Sequence, residues 1–155
     1  MALEEQLRLL IVEARFHAAV SDALLKGASS AITAAGAAFD VVTVPGALEL
    51  PAAVAFAEEG GHRPAGVRYE GYVALGCVIR AETYDFEVIS NEAARGLTDL
   101  AIGRRLAIGS GILNVDTLNQ AAVQARPDKE DRGGQAAKAC LAMIALRKRL
   151  LGQAR

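Results

Sequence analysis

The chain has 155 residues, 52% of them hydrophobic and 23% charged, with a formal net charge of −1. That length suits one domain with a sizeable core, and that balance excludes a disordered chain. A near-neutral molecule has no field to draw it to nucleic acid or an anionic membrane, and no apolar run reaches the roughly 18–20 residues that span a bilayer.

The elements read as follows in chain order. The opening MALEEQLRLLIVEA sets Glu4 and Glu5 before its apolar run, whereas a secretory leader starts basic and ends at a small-residue cleavage site. The expectation is a cytosolic protein. Residues 7–13, LRLLIVE, predict a buried strand. Val20, Leu24, Ala28, Ile32 and Ala35 then recur at helical spacing, and Gly36 stops that helix. Residues 40–44 predict a second strand and 50–59 a second helix, ended by Gly60 and Gly61. A polar connection, 62–70, leads to a third strand over 72–79. The next helix starts near Asp85, runs to about residue 104 and turns Phe86, Ile89, Ala93, Leu97 and Leu100 to one face. Residues 106–115 predict the fourth strand, with Gly109 and Gly111 inside it, and 117–125 a short helix. A charged loop, RPDKEDRGG, precedes a final helix over 135–151 with Ala136, Cys140, Met143, Ile144 and Leu151 toward the core.

Strands that are continuous apolar runs and alternate with helices predict an α/β fold. The expected form is a single three-layer α/β/α sandwich over 1–155, with a four-stranded parallel sheet and a flavodoxin-like architecture. Such sheets bind ligands at the carboxyl ends of their strands, where backbone N–H groups and helix N-termini converge. Two mouths have that layout. One is Arg80-Ala81-Glu82-Thr83-Tyr84 after the third strand. The other is Pro45-Gly46-Ala47-Leu48-Glu49-Leu50-Pro51 after the second. A pair of mouths points to a small-molecule site. Cys77 and Cys140 are far apart in apolar settings and read as reduced, buried, small hydrophobes. His17 and His62 are the only histidines, and neither has a Cys, His or carboxylate cluster around it in sequence, so no metal site is expected.

Six short segments occur in an order and spacing that resemble the 6,7-dimethyl-8-ribityllumazine synthases of riboflavin biosynthesis. They are Ala14-Arg15-Phe16, the segment from Val44 to Pro51, Gly76-Cys77-Val78-Ile79-Arg80, Asn91-Glu92-Ala93-Ala94-Arg95-Gly96, Gly111-Ile112-Leu113, and Arg132-Gly133-Gly134 before an Ala-rich helix. Together they cover nearly the whole chain. The resemblance implies a transferase that condenses 5-amino-6-ribitylaminouracil with 3,4-dihydroxy-2-butanone 4-phosphate, without metal or organic cofactor. The steps are imine formation, phosphate elimination, ring closure and dehydration. It further implies a homo-oligomer of pentamers, in some members an icosahedral shell, with the site between neighbouring subunits.

Carried onto this sequence, the resemblance has Phe16 stack on the pyrimidine ring; the plain alternative is a core phenylalanine. Gly46, Ala47, Leu48 and Glu49 hold the ribityl chain, with Glu49 accepting from its hydroxyls; alternatively Glu49 is a first-turn carboxylate favoured by the helix dipole. Cys77, Val78 and Ile79 frame the pyrimidine through their backbone. Glu82, Thr83 and the turn around them hold the phosphate.

Departures from the family pattern gather on the phosphate side. Asp85 stands where the family has a histidine, its proton shuttle; an ordinary Asp ionises near 3.9 and is a poor acid at neutral pH. Asp85 is therefore the candidate catalytic base, or else a helix N-cap. Ala81 replaces a glycine. Gln124 stands where an arginine clamps phosphate, with Arg126, Lys129 and Arg132 as local cations. Ser110 takes the place of an aromatic that covers the neighbour's substrate. The pyrimidine and ribityl half is intact. The leading reading is an active synthase, since orienting two reactants supplies much of the acceleration. Two others stay open: an impaired or engineered assembly scaffold, and a flavin- or lumazine-binding module.

Overall fold

The computed structural model describes residues 6–152; Glu4 and Glu5, which carried the reading of the N-terminus, lie outside them. Among the described residues, four parallel strands, β1 (Arg8–Ala14), β2 (Ala38–Val44), β3 (Gly71–Ile79) and β4 (Ile108–Val115), form one sheet in the order β2-β1-β3-β4. Five α-helices connect and cover it: α1 (Ala18–Ala34), α2 (Leu50–Gly60), α3 (Phe86–Arg104), α4 (Leu118–Ala125) and α5 (Arg132–Leu151). Parallel strands covered on both faces by helices give the three-layer, flavodoxin-like α/β fold that the sequence predicts.

The central strands explain the continuous apolar runs. All nine residues of β3 are buried, as are the last six of β1. Successive side chains point to opposite faces, so each run feeds two cores. Leu9, Ile11, Val73, Leu75, Cys77 and Ile79 pack with α1, α4 and α5. Leu10, Val12, Tyr72, Ala74 and Val78 pack with α2 and α3. β2 and β4 are the edges, and β2 leaves Val41 and Val42 exposed.

The sequence reading holds for most elements and needs correction in three places. Gly36 ends α1 in a left-handed conformation (φ 79°), as its lack of a Cβ permits, but Ala35 is the exposed C-cap residue rather than part of the buried face. The last helix begins at Arg132, not at 135. Asp131, itself left-handed (φ 48°), accepts a hydrogen bond from the Gly134 N–H at 3.1 Å and starts the helix inside the segment read as loop. Gly133 and Gly134 then lie buried in the first turn, where a Cβ on Gly133 would stand 2.1 Å from the Leu24 carbonyl oxygen. The glycines serve close packing of α5 on α1, not a flexible loop. Finally, Met143 and Leu151 are exposed rather than core, because Ala136, Ala137, Cys140 and Ile144 define the buried stripe of α5.

α4 is entered by a capping box: the Thr117 hydroxyl accepts from the Gln120 N–H, and the Gln120 side chain accepts from the Thr117 N–H. At the amino end of β3, the Tyr72 hydroxyl donates to buried Glu58 at 2.7 Å, and His62 Nε2 lies 3.2 Å from the same carboxylate. His62 thus sits far from the carboxyl ends of the strands. No helix among the described residues is long and apolar enough to cross a membrane.

Candidate active site at the carboxyl ends of the strands

Strand order reverses between β1 and β3, since the chain steps outward to β2 and returns past β1 to β3. In open parallel sheets that reversal leaves a crevice beyond the strand ends. Phe16 follows β1 and is 54% exposed. It is not a core side chain. Its ring meets the His17 ring edge to face, centroids 4.8 Å apart and planes at 88°.

β2 delivers the second wall. A single 3-10 turn, Ala47–Glu49, runs straight into α2, with Pro51 in the first turn, where a missing N–H costs nothing. Ala47 is buried, while Leu48 and Glu49 are exposed. The Glu49 carboxylate folds back over Gly46, where a Cβ would stand 3.1 Å from Oε1. A side chain at 46 would displace it.

β3 delivers the third wall. Cys77 and Ile79 turn their side chains into the α1-side core and Val78 into the other, which leaves their backbone as the part open to a contact at the strand end. Burial, with help from Glu82, pushes the Cys77 thiol up to about 11. A thiol so far above neutrality is not a nucleophile. Native protein at pH 8 is therefore expected to leave Cys77 unlabelled by iodoacetamide, and urea-unfolded protein to react fully; mass spectrometry of both reads this directly.

A second 3-10 turn, Arg80–Glu82, follows β3. Arg80 ties the turn down. Its guanidinium lies 4.3 Å over the Phe86 ring, and it donates to Asp116 at 3.0 Å and Glu87 at 3.4 Å. Thr83 is half-buried and closes the turn through a 3.4 Å backbone bond to Arg80. Asp85 occupies the N-cap position of α3, but its exposed side chain makes no capping bond. A shallow cleft of about 510 Å³, lined by Arg80, Thr83, Asp85 and Glu87 among others, covers this turn.

Across the crevice, His17 Nε2 lies 3.1 Å from both oxygens of Glu82. This pair joins the loop after β1 to the turn after β3, and sequence reasoning missed it because 65 residues separate the partners. A second missed set is Glu13, Arg15 and Thr43. Buried Glu13 accepts from Arg15 at 2.8 Å and from the Thr43 hydroxyl at 3.1 Å, and Arg15 also pairs with Asp22.

Two expected site residues stand apart from the others within the chain. Ser110 pairs with Ala74, five residues before the end of β4, and is exposed along that edge. Gln124 lines a groove of about 660 Å³ between α3, the end of β4 and α4, whose walls include Arg80, Asn114 and Asp116 but neither Phe16 nor Glu49. Arg126 is engaged with Asp128 at 2.7 Å. Among the described residues no group of three or more His, Cys, Asp and Glu side chains is placed to hold a metal ion.

Residues 6–148 match the family described as 6,7-dimethyl-8-ribityllumazine synthase. The chain belongs to that family. It is 57% identical over 140 residues to a protein named 6,7-dimethyl-8-ribityllumazine synthase from Bartonella tribocorum, covering 90% of this chain and 89% of that one. It is 54% identical over 145 residues to the Bartonella henselae protein of the same name, covering 94% and 91%. It is 53% identical over 150 residues to 6,7-dimethyl-8-ribityllumazine synthase 1 of Rhizobium meliloti, covering 97% of each. Full-length likeness to proteins that carry the synthase name favours the synthase reading over an impaired or engineered scaffold.

Proposed function

We propose that this chain, as one domain over 1–155, condenses 5-amino-6-ribitylaminouracil with 3,4-dihydroxy-2-butanone 4-phosphate to 6,7-dimethyl-8-ribityllumazine, without a cofactor, in the cytoplasm. The observation that carries the reading is the family match over residues 6–148, together with an exposed aromatic and an exposed carboxylate at the mouths that such a substrate needs. Phe16 stacks on the pyrimidine, an interaction worth about 0.5–1.5 kcal/mol beyond burial. The backbone of Cys77, Val78 and Ile79 borders the ring. Gly46, Ala47 and Leu48 shape the ribityl channel, and Glu49 accepts from its hydroxyls. Glu82, Thr83 and Asp85 border the phosphate end.

The working form is a homo-oligomer built from pentamers, either alone or stacked into a shell. Exposed Phe56 on α2 and exposed Val88 and Ile102 on α3 support burial against another copy, since large apolar side chains gain by leaving water. In that assembly Ser110 and Gln124 serve the substrate of the adjacent subunit. Native mass spectrometry at micromolar concentration is expected to give multiples of five; a stable monomer overturns this.

Mixing the chain with both substrates and following lumazine fluorescence against the uncatalysed background tests the activity. Turnover above background is expected; a rate equal to background overturns the reading. Glu49→Ala is expected to raise KM for the pyrimidine substrate by about 10- to 100-fold, the equivalent of losing one charge-assisted hydrogen bond. KM for the phosphate substrate should stay nearly constant in the same titrations.

A further inference from the structure

Both halves of the proposed condensation move protons near neutral pH, and that demands a side chain able to give and take one there. Histidine is the residue type whose ordinary ionisation falls in that range. The chain has two, His17 and His62. His62 is engaged with Glu58 at the amino end of β3, remote from the crevice. His17 stands in the crevice.

We propose that His17, held by Glu82 across the switch point, is the acid–base residue of the condensation. The inference rests on the synthase reading above. Three features of the site support it. The ring of His17 meets the Phe16 ring edge to face at 4.8 Å, which sets the imidazole at the margin of the surface on which the pyrimidine stacks. Nε2 lies 3.1 Å from each oxygen of Glu82, so the carboxylate fixes the proton on Nε2 and orients the ring. Nδ1 has no hydrogen-bond partner among the described residues and is the nitrogen left to exchange protons. This is the arrangement of a base oriented by a third group, with Glu82 as the positioning residue. Arg15, two positions before His17, is occupied by Glu13 and Asp22.

The proton balance closes over two steps. The amine of the pyrimidine adds to C2 of the four-carbon phosphate. One N–H proton passes to the former carbonyl oxygen to give the hydroxyl, the imidazolium gives its Nδ1 proton to that hydroxyl, the C–O bond breaks, water leaves, and a protonated imine, C=N–H+, forms that carries the charge His17 gave up. Next the neutral imidazole takes the proton from C3. The C3–H pair forms C3=C4, the bond from C4 to phosphate oxygen breaks, and phosphate leaves with that electron pair. His17 ends as the imidazolium with which it began. No electron donor or acceptor is required.

The test is steady-state kinetics of the full-length oligomer with His17→Asn and His17→Gln. Position 17 is the N-cap of α1 and its side chain makes no capping bond, so asparagine, a favoured N-cap residue, should keep the helix start. Both variants are expected to lose about 10²-fold or more in kcat with KM for the pyrimidine little changed. The acid limb of the parent's kcat profile, where a base takes up its proton, should vanish. Added imidazole should restore part of the rate to His17→Ala. If the parent turns over and His17→Asn matches its kcat with the same pH profile, the inference is overturned while the synthase reading stands. A parent at background rate would overturn both.

Discussion

Gly109→Ala is expected to cost at least about 3 kcal/mol of folding stability, the upper range for overpacking a core. A Cβ built at this position would stand 1.8 Å from the backbone oxygen of Ala136 and 2.8 Å from its carbon. Both atoms belong to the α5 main chain, so no rotamer change relieves the clash. The helix must lift off β4, or the strand must bow into β3, and β4 is hydrogen-bonded to β3 along its whole length. Either movement opens the core that Leu113, Ala136, Ala137 and Cys140 fill. Gly103→Ala is the matched comparison. Nothing lies within 4 Å of its Cβ position, and it sits near the end of helix α3. There alanine should stabilise by up to about 1 kcal/mol, because it restricts the unfolded chain and favours the helix. Urea midpoints at one fixed protein concentration compare the two, since any self-association makes apparent stability depend on concentration. Equal midpoints for Gly109→Ala and the parent would show that α5 does not pack on β4 as closely as described.

The same glycine shows where sequence reading reaches and where it stops. Gly109 and Gly111 were visible inside a strand, but the reason for them lies in a helix some 27 residues later in the chain, Ala136. The continuous apolar runs of β1 and β3 announced central parallel strands, because only strands buried on both faces have no polar alternation. Gly133 and Gly134 misled in the other direction. Next to Asp128, Glu130 and Asp131 they read as loop, and only the contact with Leu24 shows that they open a helix. Met143 and Leu151 fit a helical stripe by type, yet a helix of this length has room for one buried stripe, and the small residues took it.

Phe16 and the segment Gly46–Glu49 are placed at the strand ends as the sequence predicts, because each follows a strand directly. Asp85 suits an N-cap or a base by residue type; it holds the cap position without making the cap bond. Ser110 and Gln124 do not join the rest, because the fold keeps them at the open β4 edge and in a separate groove. The His17–Glu82 pair was illegible for a different reason. It depends on the return of β3 beside β1, and that pairing is a property of strand order rather than of any local pattern.

Arg15→Gln is expected to lower stability by about 2–4 kcal/mol and to raise KM for the pyrimidine substrate, whereas Asp22→Asn should change either by little. Arg15 holds two carboxylates, and its guanidinium is pushed above its ordinary range, first by the hydrogen bond it donates to Asp22 and then, against the opposing effect of burial, by Glu13. Ranked by that shift, Asp22 is the stronger partner. Exposure reverses the ranking for stability. The Asp22 side chain is 71% exposed, so water solvates it well without Arg15, and exposed pairs contribute about 0–1 kcal/mol. The Glu13 side chain is only 6% exposed, near the end of β1 between β2 and β3. Removing its cationic partner leaves a buried carboxylate with the Thr43 hydroxyl alone, and an uncompensated buried charge is costly. Arg15 also directly precedes Phe16 on the chain. Once the guanidinium no longer anchors the loop to Glu13, the Phe16 ring loses its fixed position, and under the proposed stacking role KM rises through ordering cost rather than lost contact. Thermal unfolding and substrate titration of the two variants side by side decide the matter. If Asp22→Asn costs as much as Arg15→Gln in both, the exposed pair governs the loop, and Glu13 does not position Phe16.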